Sequence, residues 1–215
     1  MRIKGIISDL DGTLADTKNL HFEAWRKTAE KFGVRIDLKN SSTLDKFWGL
    51  KDLDFLIKYA TELNINLDNN MIKYVLSLKS KEYQNLVKLI KPDSCLQNFL
   101  NLIIRYKIKF AVVTSSMKND AMAVLDTLNI KYDLLITSDD VKNVKPDPEP
   151  IILAIEKLNL NKDEIIGVGD SIYDILAYKK AGLHKMFILN QDYADAIKVS
   201  SLCDISSILL KELIS

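Results

Sequence analysis

The chain has 215 residues, 47% of them hydrophobic, and its 30 basic residues are scattered among 29 acidic ones for a formal net charge of +1. That is the balance of an ordinary soluble globular protein, and without a clustered basic stripe it excludes a nucleic-acid footprint. Domains typically run to about 100 to 150 residues, so the length allows one large core or two unequal ones.

No apolar run approaches the ~20 residues that span a bilayer, and the first residues pass straight into a strand pattern with no cleavable apolar segment. The expectation is a cytoplasmic protein, neither exported nor membrane-bound. Cys95 and Cys203 stand in unrelated contexts without CxxC or Cys/His spacing, so neither a zinc site nor a disulfide framework is indicated, and a reducing compartment fits.

In chain order, Gly5-Ile6-Ile7 reads as a strand buried on both faces that stops at two carboxylates, Asp9 and Asp11. Gly12 then permits a sharp turn. From Asp16 the pattern becomes helical: Leu20, Phe22, Trp25, Ala29 and Phe32 keep one face apolar, and Gly33 is a stop signal. Segments 52–63 and 70–90 repeat the i, i+3, i+4 spacing with no strand run between them. Residues 17–87 therefore read as a helical cap inserted over the carboxyl edge of a sheet, where it can act as a lid. The core is expected from residues 1–16 and 88–215.

Beyond Pro92 the spacing predicts helices near 96–106, 119–128, 149–158 and 172–181, interleaved with strands at 109–113, 134–137, 164–168 and 185–189, and a last helix from Ile205. Such alternation implies a doubly wound, Rossmann-like α/β core of parallel strands joined by right-handed crossovers. Three of the four prolines lie in Lys145-Pro146-Asp147-Pro148-Glu149-Pro150 and stiffen the loop that leads into a helix.

Several of these strands end in, or lead into, groups of complementary chemistry, at the edge where open α/β sheets bind ligands. The first carries Asp9 and Asp11. The second ends at Thr114 with Ser115 and Ser116; the fourth ends at Asp170, Ser171 and Asp174, and Lys145 lies in the stiff loop beyond the third. Thr114 and neighbouring amides can donate to a phosphoryl oxygen while Lys145 supplies a point charge. Asp9 and Asp170 can share a hard divalent cation. Singly each has an ordinary role, as strand terminus, solvated lysine or helix cap. Together they describe a magnesium-assisted phosphoryl site.

These motifs resemble those of the haloacid dehalogenase superfamily, in its branch of phosphatases and phosphomutases with a helical cap. SDLDGTLADT looks like the first motif, VVTSS the second, the Lys145-Pro146 loop the third and GVGDSIYD the fourth. The resemblance implies that Asp9 is the nucleophile and that Asp11 is first general acid and then base. It implies Mg2+ held by Asp9, the Asp11 carbonyl and Asp170 with Asp174 in support, and a phosphoryl group bound by Thr114, Ser115 and Lys145. A carboxylate is a competent nucleophile toward phosphorus, which agrees with that assignment.

Within the branch the likeness is to β-phosphoglucomutase and sugar-phosphate phosphatases. His21 and Trp25, with Lys79 and Tyr83, resemble residues around the mutase's substrate, and Trp48, Lys51, Lys79 and Tyr83 are expected to read the leaving group. Aligning Gly49 with the cap glycine puts Asp52 where the mutase uses an arginine for a second phosphate, with Lys51 beside it as a substitute. Gly169 replaces the mutase's acidic residue before Asp170, and Ser94-Cys95 replaces a Pro-Gly pair. The expected activity is hydrolysis of a small phosphorylated metabolite, a sugar phosphate or phosphoglycolate. The alternatives are a phosphomutase and, from another class, a phospho-acceptor signalling domain.

Overall fold

The computed structural model describes residues 3–36 and 50–214; Trp48 and Gly49 lie outside them. Six parallel strands form one sheet in the order β3-β2-β1-β4-β5-β6. They are β1 (Gly5–Ser8), β2 (Lys109–Val113), β3 (Leu134–Ile136), β4 (Ile165–Gly169), β5 (Lys185–Leu189) and β6 (Ile197–Val199). Helices α4 (Ser94–Tyr106), α5 (Lys118–Thr127), α6 (Glu149–Leu158), α7 (Ile172–Ala181) and α8 (Leu202–Ile214) cover its faces. This is a doubly wound α/β core.

The two faces follow from period-2 alternation along strands buried on both sides. Ile6, Phe110, Val112, Ile166 and Phe187 pack with α4, α5 and α8, whereas Ile7, Ala111, Val113 and Ile188 pack with α6 and α7. Central position makes β1 the reference strand. Its register pairs Ser8 with Val112 on one side and with Val168 on the other, so the chain segments that follow all three strands leave the sheet at one edge.

Between β1 and α4 come α1 (Lys18–Glu30), α2 (Asp52–Glu62) and α3 (Asn69–Val87). The carboxylate of Asp68 accepts from Met71 N at 2.8 Å and caps the start of α3. Trp25, Phe55, Leu56 and Val75 make a separate apolar cluster among these helices. Ala24, Tyr83 and Val87 instead join the cluster of the sheet, so α1 and α3 are rooted in the core.

Two features depart from the sequence reading. The edge strand β6 has three residues, two of them exposed, and is too short to carry an alternation signal. The second departure is a disulfide between Cys95 and Cys203, 108 residues apart, which corrects the expectation of unpaired cysteines. Each cysteine sits in the first turn of its helix, and α4 packs against α8 on one face of the sheet, a proximity that linear spacing does not encode. The argument for a reducing compartment loses this support. No described helix is long and apolar enough to cross a membrane.

A cross-link over so long a loop restricts the unfolded chain and is typically worth about 2–4 kcal/mol. Reduction, or the Cys203→Ser variant, is therefore expected to lower the urea midpoint of unfolding. Superimposable curves for the oxidised and reduced protein would contradict this.

Candidate active site

The site is assembled where β1, β2 and β4 end. Asp9 follows β1 and its amide bonds to Val168 O at 2.9 Å, which holds it against β4. The next turn brings Gly12 so near Asp170 that a Cβ there would lie 2.3 Å from Asp170 Oδ2, and the backbone has φ +89°. Only glycine fits both demands. A Cβ at Gly169 would lie 2.5 Å from that of Asp174, so an acidic side chain in its place would displace Asp174.

Asp9, Asp170 and Asp174 can each offer one oxygen within 4.8 Å of the others. Lys145 reaches into this cluster from the proline-stiffened loop. Its Nζ donates to Asp9 Oδ1 at 2.5 Å, to Asp174 Oδ1 at 2.6 Å and to Val113 O at 3.0 Å. The loop is itself held by Glu149, whose carboxylate accepts the amides of Lys142 at 2.8 Å and Asn143 at 2.9 Å. Asp174 also accepts from Ser171 N and Oγ in a capping box, so Ser171, and not Asp170, caps α7. Burial alone would lower the Lys145 ammonium, but Asp174 and Asp9 push it well above its ordinary value. Asp9 goes the other way from a usual carboxylate: burial, with Asp174, Asp170 and Asp11 around it, pushes it up despite Lys145. The Lys145 ammonium is in contact with two of these carboxylates, Asp9 and Asp174. An all-oxygen donor set suits a hard cation.

Asp11 is the second centre. Its Oδ1 accepts from Thr17 Oγ1 at 2.7 Å, Tyr83 OH at 3.1 Å and His21 Nε2 at 3.2 Å. Its Oδ2 accepts from Ser116 Oγ at 2.7 Å and Thr114 Oγ1 at 3.1 Å. Burial pushes the Asp11 carboxyl up, but His21, Thr17 and Ser116 more than reverse this and hold it below the ordinary carboxylate range. Burial and the Asp11 carboxylate push the Tyr83 phenol up, which keeps it a donor. The His21 ring stacks on Tyr83 at 4.0 Å.

Of the residues singled out in the sequence, Asp9, Asp11, His21, Thr114, Ser115, Lys145, Asp170 and Asp174 line one cavity. Lys51 and Lys79 do not. Lys51 Nζ donates to Lys142 O at 3.3 Å near the surface. Lys79 is fully buried between Asp52 at 2.6 Å and Asp120 at 3.2 Å. Thr17 and Asp120 were not singled out in the sequence, and Ser116 was named at its strand end without a role. Ser116 shares a strand end with Ser115, and which hydroxyl turns toward Asp11 depends on tertiary geometry. Asp120 reads in sequence as an ordinary first-turn acid.

The sequence profile described as haloacid dehalogenase-like hydrolase matches residues 6–188. The chain is 30% identical over 191 residues to a phosphorylated carbohydrates phosphatase of Thermotoga maritima, covering 86% of this chain and 84% of that one. It is 29% identical over 187 residues to the pyrophosphatase PpaX of Halalkalibacterium halodurans, covering 85% and 82%. In fold it matches a β-phosphoglucomutase from Clostridium difficile with a TM-score of 0.82 at 24% identity, over 99% of this chain and all of the other. The chain belongs to the haloacid dehalogenase-like hydrolase family, as an enzyme of its phosphatase group.

A bound cation should stabilise the folded state, by about 2.7 kcal/mol when present at a hundred times its Kd. Excess Mg2+ is expected to raise the Tm of the wild type and to have little effect on Asp170→Ala. Because the Asp9 carboxyl is raised, protons compete with the cation at higher pH than at an ordinary carboxylate, so the Mg2+-induced shift should shrink as pH falls, before an ordinary carboxylate would titrate. A shift that survives in Asp170→Ala would show that this cluster does not hold the ion.

Proposed function

We propose that the protein is a magnesium-dependent phosphatase that hydrolyses a small phosphorylated metabolite, of the sugar-phosphate or phosphoglycolate kind, through an aspartyl phosphate on Asp9. The observation that carries this reading is the pairing of Asp9, oriented by Lys145, with the second carboxylate Asp11 across one cavity. In the first step an Asp9 oxygen forms a bond to phosphorus as the ester P–O bond breaks, and Asp11 gives a proton to the departing oxygen. In the second, Asp11 takes a proton from water, the water oxygen bonds to phosphorus and the Asp9–phosphorus bond breaks. Asp9, Asp170 and the Asp11 carbonyl, with Asp174 in support, would hold Mg2+, which would supply positive charge against the phosphoryl oxygens.

The hydrogen bonds of Asp11 support a coupling between binding and acid chemistry. In this conformation its Oδ2 occupies the hydroxyls of Thr114 and Ser116, the donors that a phosphoryl group needs. An arriving phosphate takes those hydroxyls and brings negative charge beside Asp11. Losing two donors and gaining an anionic neighbour both favour protonation, so Asp11 becomes an acid when there is a leaving group to protonate.

The phosphatase relatives act, by name, on phosphorylated carbohydrates in one case and pyrophosphate in another. The phosphomutase reading draws on the resemblance around His21, but its cap lysine, Lys79, is buried in ion pairs. The phospho-acceptor reading is opposed by Asp11, a group suited to discharging a stored phosphoryl group.

Repeated turnover of p-nitrophenyl phosphate is the expected result for the wild type. In Asp9→Asn, nearly isosteric but without a nucleophilic oxygen, the rate should fall by at least about a thousandfold with the fold intact. Near wild-type turnover in that variant, or glucose 6-phosphate accumulating from β-glucose 1-phosphate faster than inorganic phosphate, would overturn the assignment.

A further inference from the structure

Where the helices inserted after β1 face the cavity, they present a carboxylate. Asp52 opens α2 and lines the cavity together with the catalytic carboxylates. Its Oδ1 accepts from Trp25 Nε1 at 3.2 Å and its Oδ2 from Lys79 Nζ at 2.6 Å. An ionised carboxylate has about four acceptor sites, which leaves room for a ligand's donors. The wall around it is aromatic: Phe22, Trp25, Phe55 and Tyr173 line the same cavity, with Trp25 and Phe55 stacked at 4.6 Å.

Lys79 does not compensate this charge for an incoming anion. Its ammonium donates to Asp52, to Asp120 at 3.2 Å and to His21 Nδ1 at 2.9 Å, which commits all three of its N–H groups. Burial alone would pull Lys79 down, but Asp52 and Asp120 push it above its ordinary value, so it is an ammonium at neutral pH. Asp120 is fully buried and is also bonded by Ser80 Oγ, and by Gln84 Nε2 at 3.3 Å. Among the described residues the group thus sets the carboxylates of Asp52 and Asp120 against the ammonium of Lys79. Lys51 is turned to the Lys142 carbonyl and does not line the cavity. Among the described lining residues the lysine is Lys145, already committed to Asp9 and Asp174.

We infer that Asp52 is a specificity-determining residue: it accepts hydrogen bonds from the hydroxyls of an uncharged, polyol-like leaving group and rejects leaving groups that carry a second phosphate. The inference rests on the phosphatase reading and narrows its substrate to a hydroxylated monoester. Hydroxyls supply the donors that the open sites of Asp52 accept, and the C–H faces of a sugar or polyol suit the aromatic wall. A second phosphate brings further acceptors and like charge. Inorganic pyrophosphate, whose leaving group is itself phosphate, falls in the rejected class.

The test is a steady-state comparison of fructose 1-phosphate, fructose 6-phosphate, fructose 1,6-bisphosphate, phosphoethanolamine and inorganic pyrophosphate, with p-nitrophenyl phosphate as the reference ester. For the wild type, kcat/KM for the better fructose monophosphate should exceed that for the bisphosphate and for pyrophosphate by at least about tenfold. Asp52→Asn, which removes the charge but keeps the shape, should narrow the monophosphate-to-bisphosphate ratio by about tenfold. The wild-type comparison needs no variant and decides the matter if Asp52→Asn does not fold. Wild type that prefers the bisphosphate, pyrophosphate or phosphoethanolamine overturns the inference alone, as does an unchanged ratio in folded Asp52→Asn. Failure to turn over any ester, p-nitrophenyl phosphate included, overturns the phosphatase reading and the inference with it.

Discussion

Asp9, Asp170 and Asp174 lie close together at the end of β1 and β4, and Lys145 supplies the positive charge that the fold brings among them. Removing one partner of a buried ion pair leaves an uncompensated charge, which typically costs about 3–5 kcal/mol. The Lys145 position is therefore a structural requirement of this cluster. Much of the local architecture serves it: the prolines of the loop, the carboxylate of Glu149 that ties down Lys142 and Asn143, and the missing side chain at Gly169 that leaves Asp174 in reach.

A second set of constraints joins helices α1 and α3 to the strand-end site. Asp11 gathers donors from Thr17 at the start of α1, His21 on α1 and Tyr83 on α3, as well as from the β2 end. Behind His21, the Lys79 ammonium reaches Asp52 on α2 and Asp120 on α5. A shift of α1 or α3 would disturb the hydrogen bonds of Asp11, and a change at Asp11 would be felt by both helices. The placement of α1 and α3 and the hydrogen bonding of the Asp11 carboxylate are in this way linked directly.

The core and the strand-end carboxylates were legible because each rests on a local pattern. A buried apolar run that ends in charge marks Asp9, and the same break marks Asp170; the density of proline marks the loop of Lys145. Features that depend on pairing across the chain were not legible. Lys79 and Asp120 are 41 residues apart and each is an ordinary charge on a helical face when read alone. Cys95 and Cys203 meet only because α4 and α8 pack side by side. The choice between Ser115 and Ser116 turns on which way one strand end faces, and β6 is too short for periodicity to register.

The central claim is that Asp9 carries the phosphoryl group during turnover. It is tested most directly by mixing wild-type protein with excess p-nitrophenyl phosphate and Mg2+, quenching in acid within the first turnovers and mapping the phosphoryl group by mass spectrometry of proteolytic peptides. The account predicts phosphate on the peptide that contains Asp9, appearing with the first nitrophenol released and absent from Asp9→Asn. Phosphate found on another residue, or nitrophenol and inorganic phosphate released together while the Asp9 peptide stays unmodified at every quench time, would contradict it.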